Sequence, residues 1–99
     1  MPKRAVRQPT VAGQFYPADP DQLQREVEEY IRHASLPEDL DSVRAVIAPH
    51  AGYVYSGMTA GYAFKALKQL PDSARTVFLL GPAHRVPVSG VALGGYSAY

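Results

Sequence analysis

Two short apolar runs, each followed closely by a histidine, most constrain what this chain can fold into. The runs are residues 43–48 and 76–80, and the histidines after them are His50 and His84. Nearly every position in both runs is apolar, as in a parallel strand that is covered on both faces. A helical pattern lies between them, so the sequence predicts adjacent parallel strands joined by a right-handed crossover. Both imidazoles are then expected at the edge where open α/β sheets bind ligands.

Two helices are predicted outside the strand runs. Asp19 is expected to cap the first helix, which ends before Pro37. Ser56 or Gly57 is expected to begin the second helix, and Pro71 ends it. The apolar positions recur at helical spacing, and the two predicted buried stripes are Leu23, Val27, Tyr30 and Ile31 in the first helix, and Ala60, Ala63, Phe64, Leu67 and Leu70 in the second.

These elements predict an α/β fold with a partial parallel or mixed sheet and flanking helices. A third, weaker apolar run covers residues 88–93. Two helices and two or three strands are too few to cover both faces of a parallel sheet. We therefore expect residues 1–99 to be the N-terminal portion of a single larger domain, and to expose apolar surface on at least one face or edge.

The composition excludes several classes of partner and setting. The chain has 99 residues, a formal net charge of +1 and no basic stripe, so neither a nucleic acid nor a membrane is an expected partner. No stretch approaches the roughly 20 apolar residues that a membrane span needs. The basic first residues are not followed by an apolar run, so no signal peptide is predicted. Cysteine is absent, and a cytoplasmic location is the expectation.

The two strand-end histidines are the candidate catalytic and metal-binding residues. An imidazole at such a position can bind a metal, move a proton or hydrogen-bond a substrate, and it can equally be a structural group satisfied by backbone carbonyls. His50 and His84 together favour the functional alternative, since neighbouring parallel strands lie only about 5 Å apart. All nine carboxylates lie on the first helix or in connectors, so the chain supplies no obvious third ligand. His33 is explained by its place near a helix C-terminus.

The turn after the first strand supplies four candidate ligand-binding residues. Tyr53 and Tyr55 can offer phenolic hydrogen bonds, or one can be buried while the other forms a wall. The helix start near Gly57 can hold an anion through free backbone N–H groups. No Gly-x-Ser-x-Gly elbow surrounds Ser56, so it is expected to cap the helix and not to act as a nucleophile.

Three ordered motifs resemble one known family. They are Val-Ala-Gly-Gln-Phe-Tyr-Pro at 11–17, Ala-Pro-His-Ala-Gly-Tyr at 48–53 with Tyr-Ser-Gly at 55–57, and Leu-Gly-Pro-Ala-His at 80–84. Together they resemble the Memo family, whose prokaryotic members are called AmmeMemoRadiSam system protein B. The resemblance covers essentially the whole chain, but only about the first third of a typical family member.

The resemblance implies the N-terminal part of a fold like that of the class III extradiol dioxygenases. It implies that His50 and His84 match two histidines lining a metal-binding cleft. The family's other cleft residues, an aspartate, a histidine and a cysteine, have no counterpart here. Many members carry two histidines after Gly-Pro-Ser, whereas this chain has Ala83-His84-Arg85.

Two functions follow from the resemblance. The first is a metal-dependent redox or dioxygenase-like role with iron or copper, as a non-haem oxidoreductase that is inactive in this chain alone. The alternative is a non-catalytic adaptor that binds a peptide or an anion in the same cleft. The family name also implies a functional link to a radical SAM protein and an AMMECR-type protein.

Overall fold

Two helices carry the regular structure in the part of the chain that we describe. The computed structural model describes residues 5–73 and 76–99, in which α1 spans Pro20–His33 and α2 spans Tyr53–Leu67. The described residues fall into two compact units, one of residues 11–73 and the other of residues 5–10 together with 76–99. Both helices belong to the first unit.

Helix α1 begins and ends where the sequence predicts. The Asp19 carboxylate accepts a hydrogen bond from the Gln22 backbone N–H at 2.8 Å, and Pro20 occupies the first turn, where a missing N–H costs nothing. At the other end the His33 Nδ1 lies 3.0 Å from the Glu29 carbonyl oxygen. The cap and the basic last turn both complement the helix dipole, which stabilises α1 at each end.

Helix α2 begins at Tyr53, so the predicted start at Ser56 or Gly57 is wrong. The N-cap is Gly52, which makes no side-chain cap and therefore leaves no polar signal in the sequence. The Gly52 carbonyl accepts hydrogen bonds from the N–H groups of Tyr55 and Ser56 at 2.9 and 3.1 Å. The Ser56 hydroxyl, expected as the cap, instead lies inside the first turn and donates to the Ala51 carbonyl at 3.1 Å.

The same helix ends at Leu67, before the predicted limit at Pro71. Residues 68–70 continue only as turns, in which each N–H donates to the carbonyl three residues earlier. Such tightening is common at a helix C-terminus, and it satisfies carbonyls that have no partner further along the helix.

Helices α1 and α2 cross closely because two glycines of α2 face Tyr30 of α1. A Cβ atom on Gly61 would lie 2.7 Å from the Tyr30 carbonyl carbon, and one on Gly57 would lie 2.6 Å from the Tyr30 ring. Both glycines are buried. The Lys65 ammonium donates to the Ala34 carbonyl just beyond the end of α1, which ties the two helices together again. The two glycines thus set the distance between the helices.

The two apolar runs form no strand in the described residues. Ile47 is 99 % exposed and Leu79 is 93 % exposed, although both were expected to be buried in a sheet. A parallel strand covered on both faces needs neighbouring strands and covering helices, and the described residues contain no strand and only two helices. The predicted pairing of the runs is therefore not found, and the α/β sheet stays a prediction. The expected exposure of apolar surface is confirmed.

The second unit is joined by a short parallel bridge between its two segments. The Arg7 N–H donates to the Ala98 carbonyl at 2.9 Å, and the Ser97 N–H donates to the Ala5 carbonyl at 2.8 Å. The Ser97 hydroxyl also donates to the Ala5 carbonyl, at 3.0 Å. In residues 5–73 and 76–99, neither helix is long and apolar enough to cross a membrane.

Candidate functional site

A cleft of about 420 Å³ lies within the unit of residues 11–73. Its walls come from three segments that are distant in sequence: the loop at 11–16, the half-buried side of α1, and residues 49–64, which include most of α2. The lining residues are Val11, Phe15, Tyr16, Val27, Tyr30, Ile31, Pro49, His50, Ala51, Tyr53, Ser56, Gly57, Ala60, Gly61 and Phe64.

Backbone hydrogen bonds hold the loop at 11–16 in place as one wall. Within the loop, the Phe15 N–H donates to the Val11 carbonyl at 2.9 Å, and the Gly13 N–H donates to the Tyr16 carbonyl at 2.7 Å. The Phe15 carbonyl in turn accepts from the N–H of Tyr53, the first residue of α2, at 2.8 Å. This bond satisfies one of the free N–H groups at the helix start and fixes the loop against α2.

Three tyrosines of the lining form a chain of ring contacts. The ring centroids of Tyr16 and Tyr53 are 5.7 Å apart with the planes tilted by 40°, and those of Tyr30 and Tyr53 are 6.0 Å apart at 83°. Both distances lie in the range of favourable ring pairs, each of which contributes about 0.5–1.5 kcal/mol beyond its buried area. Tyr53 therefore joins the loop to α1 through its ring.

The environment of Tyr53 keeps its phenol protonated. Burial raises the pKa of the Tyr53 phenol above its ordinary value of 10.0, and the neighbouring Tyr16, Tyr30 and Glu26 raise it further. Burial disfavours the phenolate because the charge loses hydration, and nearby groups that become anionic disfavour it through repulsion. At neutral pH this side chain is therefore a hydrogen-bond donor with an intact O–H.

The polar groups of the cleft are few, and none of the described lining residues is acidic or carries a permanent positive charge. His50 supplies an imidazole from an exposed position just before α2, and Ser56 supplies a hydroxyl from the first turn. The three tyrosines Tyr16, Tyr30 and Tyr53 complete the set of polar residues in the lining. The remaining lining is aliphatic, aromatic or glycine, so the cleft has apolar walls with a small number of convergent polar groups, as small-molecule sites do.

The structure brings together four of the six predicted site residues. His50, Tyr53, Ser56 and Gly57 all line the cleft. Tyr55 is 87 % exposed and is not part of the lining, so of the two tyrosines only Tyr53 forms a wall.

The sixth predicted residue, His84, lies in the unit of residues 5–10 and 76–99, where it is exposed. Within residues 5–73 and 76–99, no three histidine, cysteine, aspartate or glutamate side chains are grouped as a metal ion requires. The described residues therefore do not provide the three protein ligands that catalytic zinc or non-haem iron needs.

Sequence reasoning assigned several lining residues to other roles. The sequence patterns did not mark Phe15 and Tyr16 as site residues, and they placed Tyr30 and Phe64 in the buried stripes of the two helices. The sequence did indicate part of this wall, because an aromatic pair inside a segment rich in Pro and Gly is typical of an ordered loop. The spacing of Gly57 and Gly61 by four residues also indicates a close helix contact, although it does not identify the partner.

Comparison with known proteins gives the family. A family model described as Memo-like protein matches residues 7–99. The chain is 43 % identical over 93 residues to MEMO1 family protein MK0963 of Methanopyrus kandleri, covering 87 % of this chain and 32 % of the relative. It is 40 % identical over 100 residues to Protein MEMO1 of Danio rerio, covering 100 % of this chain and 32 % of the relative.

A third relative, a MEMO1 family protein of Archaeoglobus fulgidus, is 48 % identical over 79 residues, covering 80 % of this chain and 27 % of the relative. The chain thus spans about a third of the length of these relatives. No solved structure matches it. A family match over nearly the whole chain agrees with the resemblance in the three motifs, and the chain belongs to the Memo-like protein family.

Proposed function

We propose that the cleft of residues 11–73 is a ligand-binding site of a Memo-like protein, with His50 as its main polar group. One observation carries the proposal: His50 is one of the residues that line a cavity whose other walls are mostly apolar and aromatic. The volume of about 420 Å³ lies within the roughly 300–1,000 Å³ of small-molecule sites.

The chemistry of this cleft follows from the contrast between its walls and its few polar groups. Apolar walls supply binding energy by removing ligand surface from water, and they do not choose between ligand orientations. An imidazole can donate or accept a hydrogen bond, or move a proton. A hydrogen bond made beside apolar walls is electrostatically stronger than one in water. In this proposal His50, together with the few other polar residues of the lining, orients the ligand.

A metal-dependent oxidoreductase role is the second candidate. It rests on the match of His50 and His84 to the family's cleft histidines and on the place of His50 in the cleft. Iron or copper is the metal that the resemblance implies. The described residues do not make a complete ligand set, so further ligands would come from another part of the protein or from a second chain. We derive no reaction step through a metal from these residues.

Other proposals rest on the resemblance alone. They are a functional link to a radical SAM protein and an AMMECR-type protein. A cytoplasmic location is proposed from the composition, which contains no cysteine. A peptide- or anion-binding adaptor role would use the same cleft without turnover. An anion receives no support from the described lining, because no lysine or arginine belongs to it.

A larger side chain in the lining tests whether the cleft binds a ligand. Ala60 lines the cavity, whereas Thr59 lies exposed one residue earlier on the same helix. Neutral two-ring fragments, added to the ¹⁵N-labelled full-length protein, should shift the backbone amide signals of the cleft residues. Ala60→Leu should weaken this binding about tenfold or more, because a leucine takes up space that the ligand needs, and Thr59→Leu should leave it unchanged. Equal binding by both variants would contradict the proposal.

The metal candidate has a separate test with its own control. Fe²⁺ or Cu²⁺ content is measured for the full-length protein and for His50→Ala, His84→Ala and His33→Ala. If the first two histidines share a metal, each of their variants should lose most of it, and the double variant should be little worse, since ligands of one site act as a unit. His33→Ala should retain the metal, because His33 lies at the end of α1 beside the Glu29 carbonyl. Retention of metal in all three variants would refute this candidate and leave the cleft proposal standing.

A further inference from the structure

We propose that Ser56 is a positioning residue, which holds the turn of His50 in place through a hydrogen bond to the Ala51 carbonyl. This inference rests on the proposed function, because it concerns how the cleft keeps its histidine oriented. Ser56 and His50 both line the cleft, and the bond from Ser56 acts on the backbone next to His50.

The hydrogen bond of Ser56 connects the first turn of α2 to the segment before the helix. The hydroxyl donates to the Ala51 carbonyl at 3.1 Å, five residues earlier in the chain. A helical serine that bonds the backbone usually reaches the carbonyl three or four residues earlier, within the helix or at its cap. Here the acceptor lies one residue before the N-cap Gly52. The bond therefore fixes the chain that enters α2.

Gly52 is the position at which this entering chain rotates most easily. Gly52 has no Cβ, so both signs of φ are open to it, and its observed φ is −54°. Rotation about the N–Cα bond of Gly52 moves the whole peptide plane that contains the Ala51 carbonyl, because a peptide bond is planar. A hydrogen bond from α2 to that carbonyl opposes this rotation.

His50 lies next to the peptide that Ser56 holds. Its Cα atom is one step of about 3.8 Å from the Cα atom of Ala51. On its other side is Pro49, whose ring fixes its own φ at about −65°. The backbone of His50 is thus constrained on both sides. Loss of the Ser56 hydroxyl would release one of them, and the imidazole would then spend part of its time away from the orientation that a ligand needs.

Backbone relaxation of the ¹⁵N-labelled full-length protein, recorded without ligand, tests the inference. Order parameters and relaxation dispersion together report motion from picoseconds to nanoseconds and from microseconds to milliseconds. In Ser56→Ala the amides of His50, Ala51 and Gly52 should fall from an order parameter of about 0.85, typical of a rigid backbone, to about 0.6, or show new exchange broadening. Ser56→Thr keeps the hydroxyl and should retain the parent values.

Two further variants separate rotation at Gly52 from a general loss of stability. Ser97→Ala removes a bond of the same kind, from a hydroxyl to the Ala5 carbonyl at 3.0 Å, and should leave residues 50–52 unchanged. Gly52→Ala adds a Cβ that meets its neighbours at 3.6 Å or more, which is ordinary contact, at a φ that alanine accepts. Since alanine has fewer backbone alternatives than glycine, Gly52→Ala should restore much of the order that Ser56→Ala removes.

Unchanged amides of residues 50–52 in Ser56→Ala would overturn the inference. A loss of order that Gly52→Ala does not reduce would overturn it as well, because the rotation would then not occur at Gly52. These measurements use no ligand, so their result does not depend on whether the cleft binds one.

Binding of 2-naphthol, a neutral two-ring probe, shows whether Ser56 acts through His50. Ser56→Ala should weaken binding about two- to tenfold, because a side chain must then be ordered on binding. In a His50→Ala background the same change should have no effect. An equal loss in both backgrounds would mean that Ser56 contacts the ligand directly, and would overturn the positioning role. Absence of binding by the parent protein would count against the proposed function, while the relaxation data would still decide the role of Ser56.

Discussion

The close crossing of α1 and α2 makes Gly61→Ala the most informative substitution for the architecture of the cleft. Alanine is the better helix former, and in an open helix position the change would gain about 1 kcal/mol. At Gly61 the new Cβ would lie 2.7 Å from the Tyr30 carbonyl carbon, and nearer still to its oxygen. Ordinary contact begins at 3.4 Å, so the helices would have to separate by at least about 0.7 Å.

The cost exceeds the gain because the obstructing atoms are backbone. A side chain can rotate away from a new methyl group, whereas a helix carbonyl cannot move without the whole helix. Overpacking of this kind costs typically 1–3 kcal/mol, and a rigid wall places this site near the upper end. After the gain in helix propensity, the net loss should be about 2 kcal/mol, or roughly 30-fold in the unfolding equilibrium.

Gly57→Ala is the matched comparison, since its new Cβ would meet the Tyr30 ring at 2.6 and 2.7 Å and not the backbone. The assay is urea unfolding of the full-length protein for both variants, each with Tyr30 intact and with Tyr30→Ala. Removing the ring should abolish any cost of Gly57→Ala and leave most of the cost of Gly61→Ala. A neutral Gly61→Ala, or one whose cost vanishes with the Tyr30 ring, would refute the backbone argument.

Two further predictions concern the helix start and the buried phenol. Asp19→Ala should destabilise the protein by about 1 kcal/mol in urea unfolding, since the N–H of Gln22 loses its acceptor, while Asp19→Asn should retain most of the stability. An equal loss in both variants would argue against capping. The raised pKa of Tyr53 means that the folded state binds this proton more tightly than the unfolded state does. Stability from this group is therefore fully present below pH 10.0 and is lost as the pH rises through the higher folded pKa. Tyr53→Phe should flatten this alkaline fall in thermal unfolding, whereas Tyr55→Phe, at a side chain that is 87 % exposed, should not.

The helices could be predicted where a local side chain marks them. Asp19 and Pro20 define the start of α1 because a carboxylate cap and a proline in the first turn act within four residues. The start of α2 was missed because Gly52 is a cap without a side-chain bond, and its first residues, Tyr53 to Tyr55, have no strong helix preference.

The cleft could be predicted only in part, since its walls depend on contacts between distant segments. The motif around His50 indicates a turn that can carry a functional group, and His50, Tyr53, Ser56 and Gly57 all line the cavity. The contribution of Phe15 depends on a backbone bond to Tyr53, and that of Tyr30 on two glycines of another helix. Neither of these contacts between distant segments produces a pattern in the local sequence. The two apolar runs have a clear strand pattern but form no strand in the described residues. A strand also needs neighbouring strands to pair with.

The most direct test of the account follows the imidazole of His50 while the cleft is filled. Ring ¹H–¹³C signals of the full-length protein can be recorded during a titration with 2-naphthol and assigned with His50→Ala and His33→Ala. We predict that the His50 signals shift in proportion to the occupied fraction, that those of His33 stay in place, and that Ala60→Leu abolishes the change. Saturable binding of 2-naphthol that leaves the His50 signals unmoved would contradict the claim that this histidine is the polar group of a ligand-binding cleft.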